Sequence, residues 1–106
     1  MNVHLTATLT EVDGSKVAYL HRVENIPVVH KGLMLHGMHP DADGYSLRVK
    51  RVCWHHGEKL MYAELRDVGV EGCLESVVAA WEAYGWTLDG VDDLQLANND
   101  PSESDG

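Results

Sequence analysis

Residues 45–55, YSLRVKRVCWH, form the longest strand candidate of the chain, and their pattern decides the expected fold. Apolar side chains alternate as far as Val49, but the apolar positions then continue out of phase at Val52 and Trp54. Because successive side chains of a strand point to opposite faces, the phase can change only at an extra residue or a sharp bend. We therefore predict a β-bulge near Lys50-Arg51 and a strongly bent strand that serves two sides of a small barrel.

Four further segments have the composition of strands. They are residues 3–9, 16–24, 33–36 and 60–65. The first of these alternates strictly, and the pair Asp13-Gly14 that follows it is a hairpin signal, because glycine accepts a positive φ without steric cost. We expect a strongly bent antiparallel sheet of about five strands, closed or nearly closed into a barrel.

A single helix is expected after the strands. Apolar residues recur at helical spacing between residues 73 and 85, and Gly85 stands where a left-handed cap belongs. Trp86 and Leu88 follow as contacts that tie the end of the helix to the sheet. The predicted class is therefore α+β, with one amphipathic C-terminal helix packed on the barrel.

The charge of the chain is unevenly distributed. The 106 residues have a formal net charge of −9, but six acids and no base occur from Asp89 onward. We predict a single domain over residues 1–90 and an acidic, disordered tail over residues 91–106, since the tail has little apolar surface to bury. No basic footprint for nucleic acid is visible in the sequence.

The location of the protein is predicted from what the sequence lacks. It shows neither the basic and apolar regions of a signal peptide nor a long apolar run, so we expect a cytoplasmic protein without membrane contact. In such a compartment, Cys53 and Cys73 are expected to be small buried side chains and not a disulfide.

The stretch 36–57 is rich in potential metal ligands. His36, His39, Cys53, His55 and His56 could together supply nitrogen and sulfur ligands for zinc. The first two and the last three lie at opposite ends of the long strand, about 30 Å apart at roughly 3.3 Å per residue. We therefore predict no metal site within one chain, which leaves open adventitious binding or a site shared between subunits. We also predict no cofactor and no catalytic set, because neither a nucleophile with its base nor a phosphate loop is visible.

A pocket in the mouth of the barrel is the alternative to a purely structural surface. His21 is in phase with Val17, Tyr19 and Val23, which indicates a partly buried histidine or one at the barrel mouth. An arginine of the long strand could select an anionic ligand there. The candidate ligand-binding residues are Tyr19, His21, Arg48, Arg51, Trp54 and Tyr62.

Two segments, NIPVVHKGLMLHG and YSLRVKRVCWHHGEKLMYAEL, resemble small uncharacterised bacterial β-barrel proteins, including some from the mobile gene cassettes of integrons. The matching positions are Ile26, Pro27, Val28, Gly32, Leu33, Leu35, Val49, Val52 and Trp54. The resemblance covers about forty residues and implies a fold but no reaction.

These observations favour a non-catalytic binding or protein-interaction module. The alternatives are a small-molecule barrel with an anionic ligand and an acidic inhibitor of a nucleic-acid enzyme. An open sheet would leave the strand Val3–Leu9 exposed, and a two-fold dimer is the commonest way to cover such an edge. We therefore expect a homodimer with this strand, or the region Trp81–Trp86, at its interface.

Overall fold

A computed structural model describes residues 1–40 and 46–93, which form one sheet and one helix. The elements in chain order are β1 (Asn2–Glu11), β2 (Lys16–Asn25), β3 (Met34–His36), β4 (Ser46–His55), β5 (Leu60–Leu65), β6 (Val68–Val70), α1 (Leu74–Ala83) and β7 (Thr87–Asp93). The α+β class is confirmed.

The sheet has more strands than predicted, and it is open and mixed. Its seven strands run in the order β3-β4-β5-β1-β2-β7, with β6 also paired to β1. β1 pairs in parallel with both β5 and β6, whereas the other pairings are antiparallel. The predictions of about five strands, of a purely antiparallel sheet and of barrel closure are therefore wrong.

β1 is the central strand of this sheet. It is bordered by β2 on one side and by β5 and β6 on the other, and its apolar positions Val3, Leu5 and Leu9 are completely buried. The predicted dimer contact through this strand is wrong, because both of its edges are already paired within the chain. Its strict alternation indicated one buried face but carried no information about parallel neighbours distant in sequence.

The predicted bulge in the long strand is confirmed. The pairing of β4 with β5 shifts register between Val49 and Arg51, and the additional residue brings Val52 opposite the buried Ala63. The bulge therefore keeps apolar side chains on the core side along both halves of β4, as a change of phase requires.

The helix is also confirmed, slightly shorter than residues 73–85. Gly85 has φ +103° and follows its last turn, and Trp86 packs against Trp81 with ring centroids 5.1 Å apart. The Trp86 Nε1–H donates to the Met38 carbonyl at 2.9 Å. Trp81 and Trp86 are 1% and 3% exposed, so these two side chains are buried within the chain. An interface through the rest of this region stays a prediction.

β6 and β7 were not predicted, because β6 has only three residues and β7 is acidic. β7 extends to Asp93, three residues into the range assigned to the tail. Residues 41–45 and 94–106 lie outside the described residues. Cys53 and Cys73 are free and exposed, so the expectation that they are buried is wrong.

Candidate functional site

The helix packs on only one of the two faces of the sheet. On the core face, Leu5 and Leu20 lie beneath the helix with almost no exposed surface. On the opposite side, here called the open face, β1 presents His4, Thr6, Thr8 and Thr10, all of them partly exposed. The alternation of β1 thus places polar side chains at the centre of an accessible surface.

Four rings cross this surface from strand to strand. The centroids of His55 and Tyr62 are 4.1 Å apart, those of Tyr62 and His4 are 4.4 Å apart, and those of His4 and His21 are 4.9 Å apart. These residues lie on β4, β5, β1 and β2, and we call them the ring row. Because the spacing of neighbouring strands is about 4.8 Å, pairing alone brings such rings into contact.

Carboxylates contact two of the four side chains of the ring row. His21 Nδ1 lies 2.7 Å from Asp89 Oδ1 on β7, and the Tyr62 hydroxyl donates to Glu58 Oε2 at 2.7 Å. The hydrogen bond to Glu58 raises the pKa of Tyr62 above its ordinary value. The two contacts fix the orientation of His21 and Tyr62, which is a requirement for a preformed binding surface.

The pKa of His4 is lowered from its ordinary value of 6.5. Partial burial between its neighbours is the main cause, and electrostatic repulsion between His4 and His21 contributes next. Protonation of the central ring is therefore disfavoured, and the neutral ring presents one N–H donor and one nitrogen acceptor.

A concavity of about 310 Å³ adjoins the ring row. Its lining residues are Thr6, Arg51, Cys53, His55, Tyr62 and Glu64. Arg51 Nε donates to Glu64 Oε2 at 3.0 Å, and this bond to Arg51 is the largest cause of the lowered pKa of Glu64. The concavity therefore combines ring surfaces with hydroxyl, thiol and paired charged groups.

The six candidate residues do not surround a barrel mouth. Tyr19, His21, Arg48, Arg51 and Tyr62 lie on the open face, whereas Trp54 lies opposite Met61 on the other side of the sheet. Only Arg51 and Tyr62 line the concavity. The assignment of His21 to the apolar face of its strand is wrong, because Ala18 and Leu20, at the alternate positions of β2, face the core.

Sequence reasoning missed His4, His55 and Asp89 as members of this surface. His4 was visible as a polar position of a half-buried strand, but its neighbours were not, because they depend on the pairing of β1 with β5 and of β2 with β7. The sequence did contain one signal for this surface, because residues with ring side chains occur at the polar alternate positions of several strands.

The histidine-rich stretch is divided between the two ends of β4. His36 pairs with Ser46 at the first end, and His55 pairs with Leu60 at the second. Within residues 1–40 and 46–93, no group of three or more histidine, cysteine or acidic side chains could hold a metal ion.

Comparison with known proteins supplies no relative. No family model matches the chain, and neither a curated protein nor a solved structure is significantly similar to it. The resemblance to gene-cassette proteins stays a prediction. In the part of the chain that the structure describes, no helix is long and apolar enough to cross a membrane.

Proposed function

We propose that the protein is a non-catalytic binding module and that its open face binds a small polar molecule with a planar ring. The observation that carries this proposal is the ring row, which stands beside a concavity on the face that the helix does not cover. Ligand sites typically combine aromatic walls with a few convergent polar groups.

Sheet stability alone is a weaker explanation of the ring row. Cross-strand aromatic pairs contribute only about 0.2–1 kcal/mol each, and the threonines elsewhere on β1 also suit a strand. Imidazole rings with accessible edges instead offer hydrogen bonds to a ligand, and Tyr62 and Thr6 add hydroxyl groups at the same place.

A thermal-shift screen with purines, pyrimidines and pyridine carboxamides tests this proposal. A compound present at one hundred times its Kd should stabilise the fold by about 2.7 kcal/mol. Tyr62→Leu should abolish the response, because it removes one of the two inner rings of the ring row and its hydroxyl. Tyr84→Leu is the matched control, since Tyr84 is exposed at the end of the helix, away from the ring row.

Two results would contradict the proposal. One is the absence of any shift across the panel at millimolar concentration. The other is a shift that Tyr62→Leu and Tyr84→Leu leave equally intact, which would place the ligand elsewhere. A blank screen would favour the protein-interaction module or the acidic inhibitor of a nucleic-acid enzyme, which the acidic composition suggests.

We further propose a homodimer, now through the second half of β4. Among the described strands none pairs with the outer edge of Arg51–His55, and Trp54 in this segment is 51% exposed. Self-pairing of the other long edge, β7, would bring the like charges of Asp89, Asp92 and Asp93 on two chains close together.

The proposed compartment is the cytoplasm, where two free cysteines are stable.

A further inference from the structure

A second concavity on the same side of the sheet has a different chemistry. It measures about 310 Å³ and is lined by Lys31, Gly32, Arg48, Val49, Lys50 and Arg66, which we call the cationic cleft. It contains four of the eight lysine and arginine residues of a chain whose net charge is −9. Such a concentration of positive charge in an acidic protein requires an explanation.

Main-chain hydrogen bonds assemble the cationic cleft from three segments. The Gly32 N–H donates to the Val49 carbonyl at 2.8 Å, and the Val49 N–H donates to the Leu33 carbonyl at 2.8 Å. On the other side, the Arg66 N–H donates to the Arg48 carbonyl at 2.9 Å. Gly32 has φ +91°, a conformation that turns the chain beside Lys31 and that other residues rarely adopt.

Most of these cations have no carboxylate partner among the residues that the structure describes. Lys50 Nζ lies 3.3 Å from Glu64 Oε1. Within the described residues, Lys31, Arg48 and Arg66 form no ion pair, and Arg48 Nη2 contacts only the weak acceptor Met34 Sδ at 3.6 Å. Repulsion among these positive charges destabilises the folded state, so their arrangement does not serve stability. Binding of an anion explains it better.

We infer that the cationic cleft binds a phosphate group of a small molecule. Two guanidinium groups can form paired hydrogen bonds to phosphate oxygens, and the two lysines add positive charge and further donors. The concavity is large enough for a phosphate or a diphosphate. This inference does not rest on the ring row, since the cleft shares no lining residue with the concavity beside the ring row.

Titration with inorganic pyrophosphate, with sodium chloride at equal ionic strength as the salt control, tests the inference. The wild type should show a saturable increase in melting temperature and a heat of binding with pyrophosphate. Arg48→Gln and Arg66→Gln should each weaken the affinity by about tenfold or more, as the loss of a charge-assisted hydrogen bond implies. Lys59→Gln, which removes an exposed charge at the β4–β5 turn, should leave the affinity unchanged.

A second measurement separates binding from a structural role. Without pyrophosphate and at low salt, Arg48→Gln and Arg66→Gln should melt no lower than the wild type, because each substitution relieves repulsion in the cleft. Tyr62→Leu should retain pyrophosphate binding, so failure of the proposed function and failure of this inference are distinguishable.

Three results would overturn the inference. The first is equal stabilisation by sodium chloride and pyrophosphate, which would indicate general screening of charge. The second is unchanged pyrophosphate affinity in the two arginine variants. The third is binding of a DNA duplex that requires these arginines while pyrophosphate does not bind, which would assign the cleft to a polymer.

Discussion

At the scale of single residues, His4 should make stability depend on pH. Its pKa in the folded protein is below the ordinary value of 6.5, so the unfolded chain binds a proton more readily. The stability that the neutral ring contributes is therefore complete above pH 6.5 and is lost as the pH falls through 6.5 towards the folded pKa. We predict that His4→Gln loses less stability than the wild type between pH 7.5 and about pH 5.5.

Urea unfolding at the two pH values measures this difference. His30→Gln is the control, because His30 is exposed in the loop before β3 and has no place in the ring row. If the wild type and His4→Gln lose the same free energy of unfolding over this range, the packing of the three histidines does not control the protonation of His4.

A second prediction at this scale concerns Gly85. Its φ of +103° is strained for any residue with a side chain, and an added Cβ would lie 3.3 Å from the guanidinium nitrogens of Arg22. That guanidinium donates to the Tyr84 carbonyl and lies 5.5 Å from the centroid of Trp86. Gly85→Ala should destabilise the fold by roughly 1 kcal/mol or more in chemical unfolding. An unchanged or higher midpoint of chemical unfolding would show that residue 85 does not adopt this positive φ after the helix.

At the scale of elements, the central position of β1 predicts its dynamics. Amide hydrogens of β1 are paired on both sides, whereas β3 and β7 lie at the edges of the sheet. Hydrogen exchange should therefore be slower in β1 than in β3, in β7 and in the half of β4 whose outer edge has no described partner. Rapid exchange along one side of β1 would contradict the parallel pairing with β5 and β6.

The elements also show what the sequence could predict. The bulge in β4, the helix and the β1–β2 hairpin are local features, each signalled by neighbouring residues such as the out-of-phase Val52 or the turn glycine Gly14. β6 and β7 lack that signal, because three residues are too few to show a period and β7 has three aspartates among its seven residues. Parallel pairing depends on contacts distant in sequence, so the openness of the sheet and most of the ring row could not be predicted.

At the scale of the whole molecule, the homodimer is tested by light scattering at micromolar concentration. We predict the mass of two chains for the wild type and of one chain for Trp54→Glu, because a charge beside the free edge of β4 opposes its self-pairing. Tyr84→Glu is the control with the same added charge on the helix and should remain dimeric. The mass of a single chain for the wild type would refute the dimer.

The division of the molecule into a covered and an open face is the central claim, and an amide NMR titration tests it most directly. Spectra of the 15N-labelled protein, recorded with each compound of the ring-containing panel, should show shifts concentrated around His4, His55 and Tyr62. The same shifts should be absent in Tyr62→Leu. Shifts confined to the helix, or no shifts with any compound at millimolar concentration, would contradict the assignment of the open face as the binding surface.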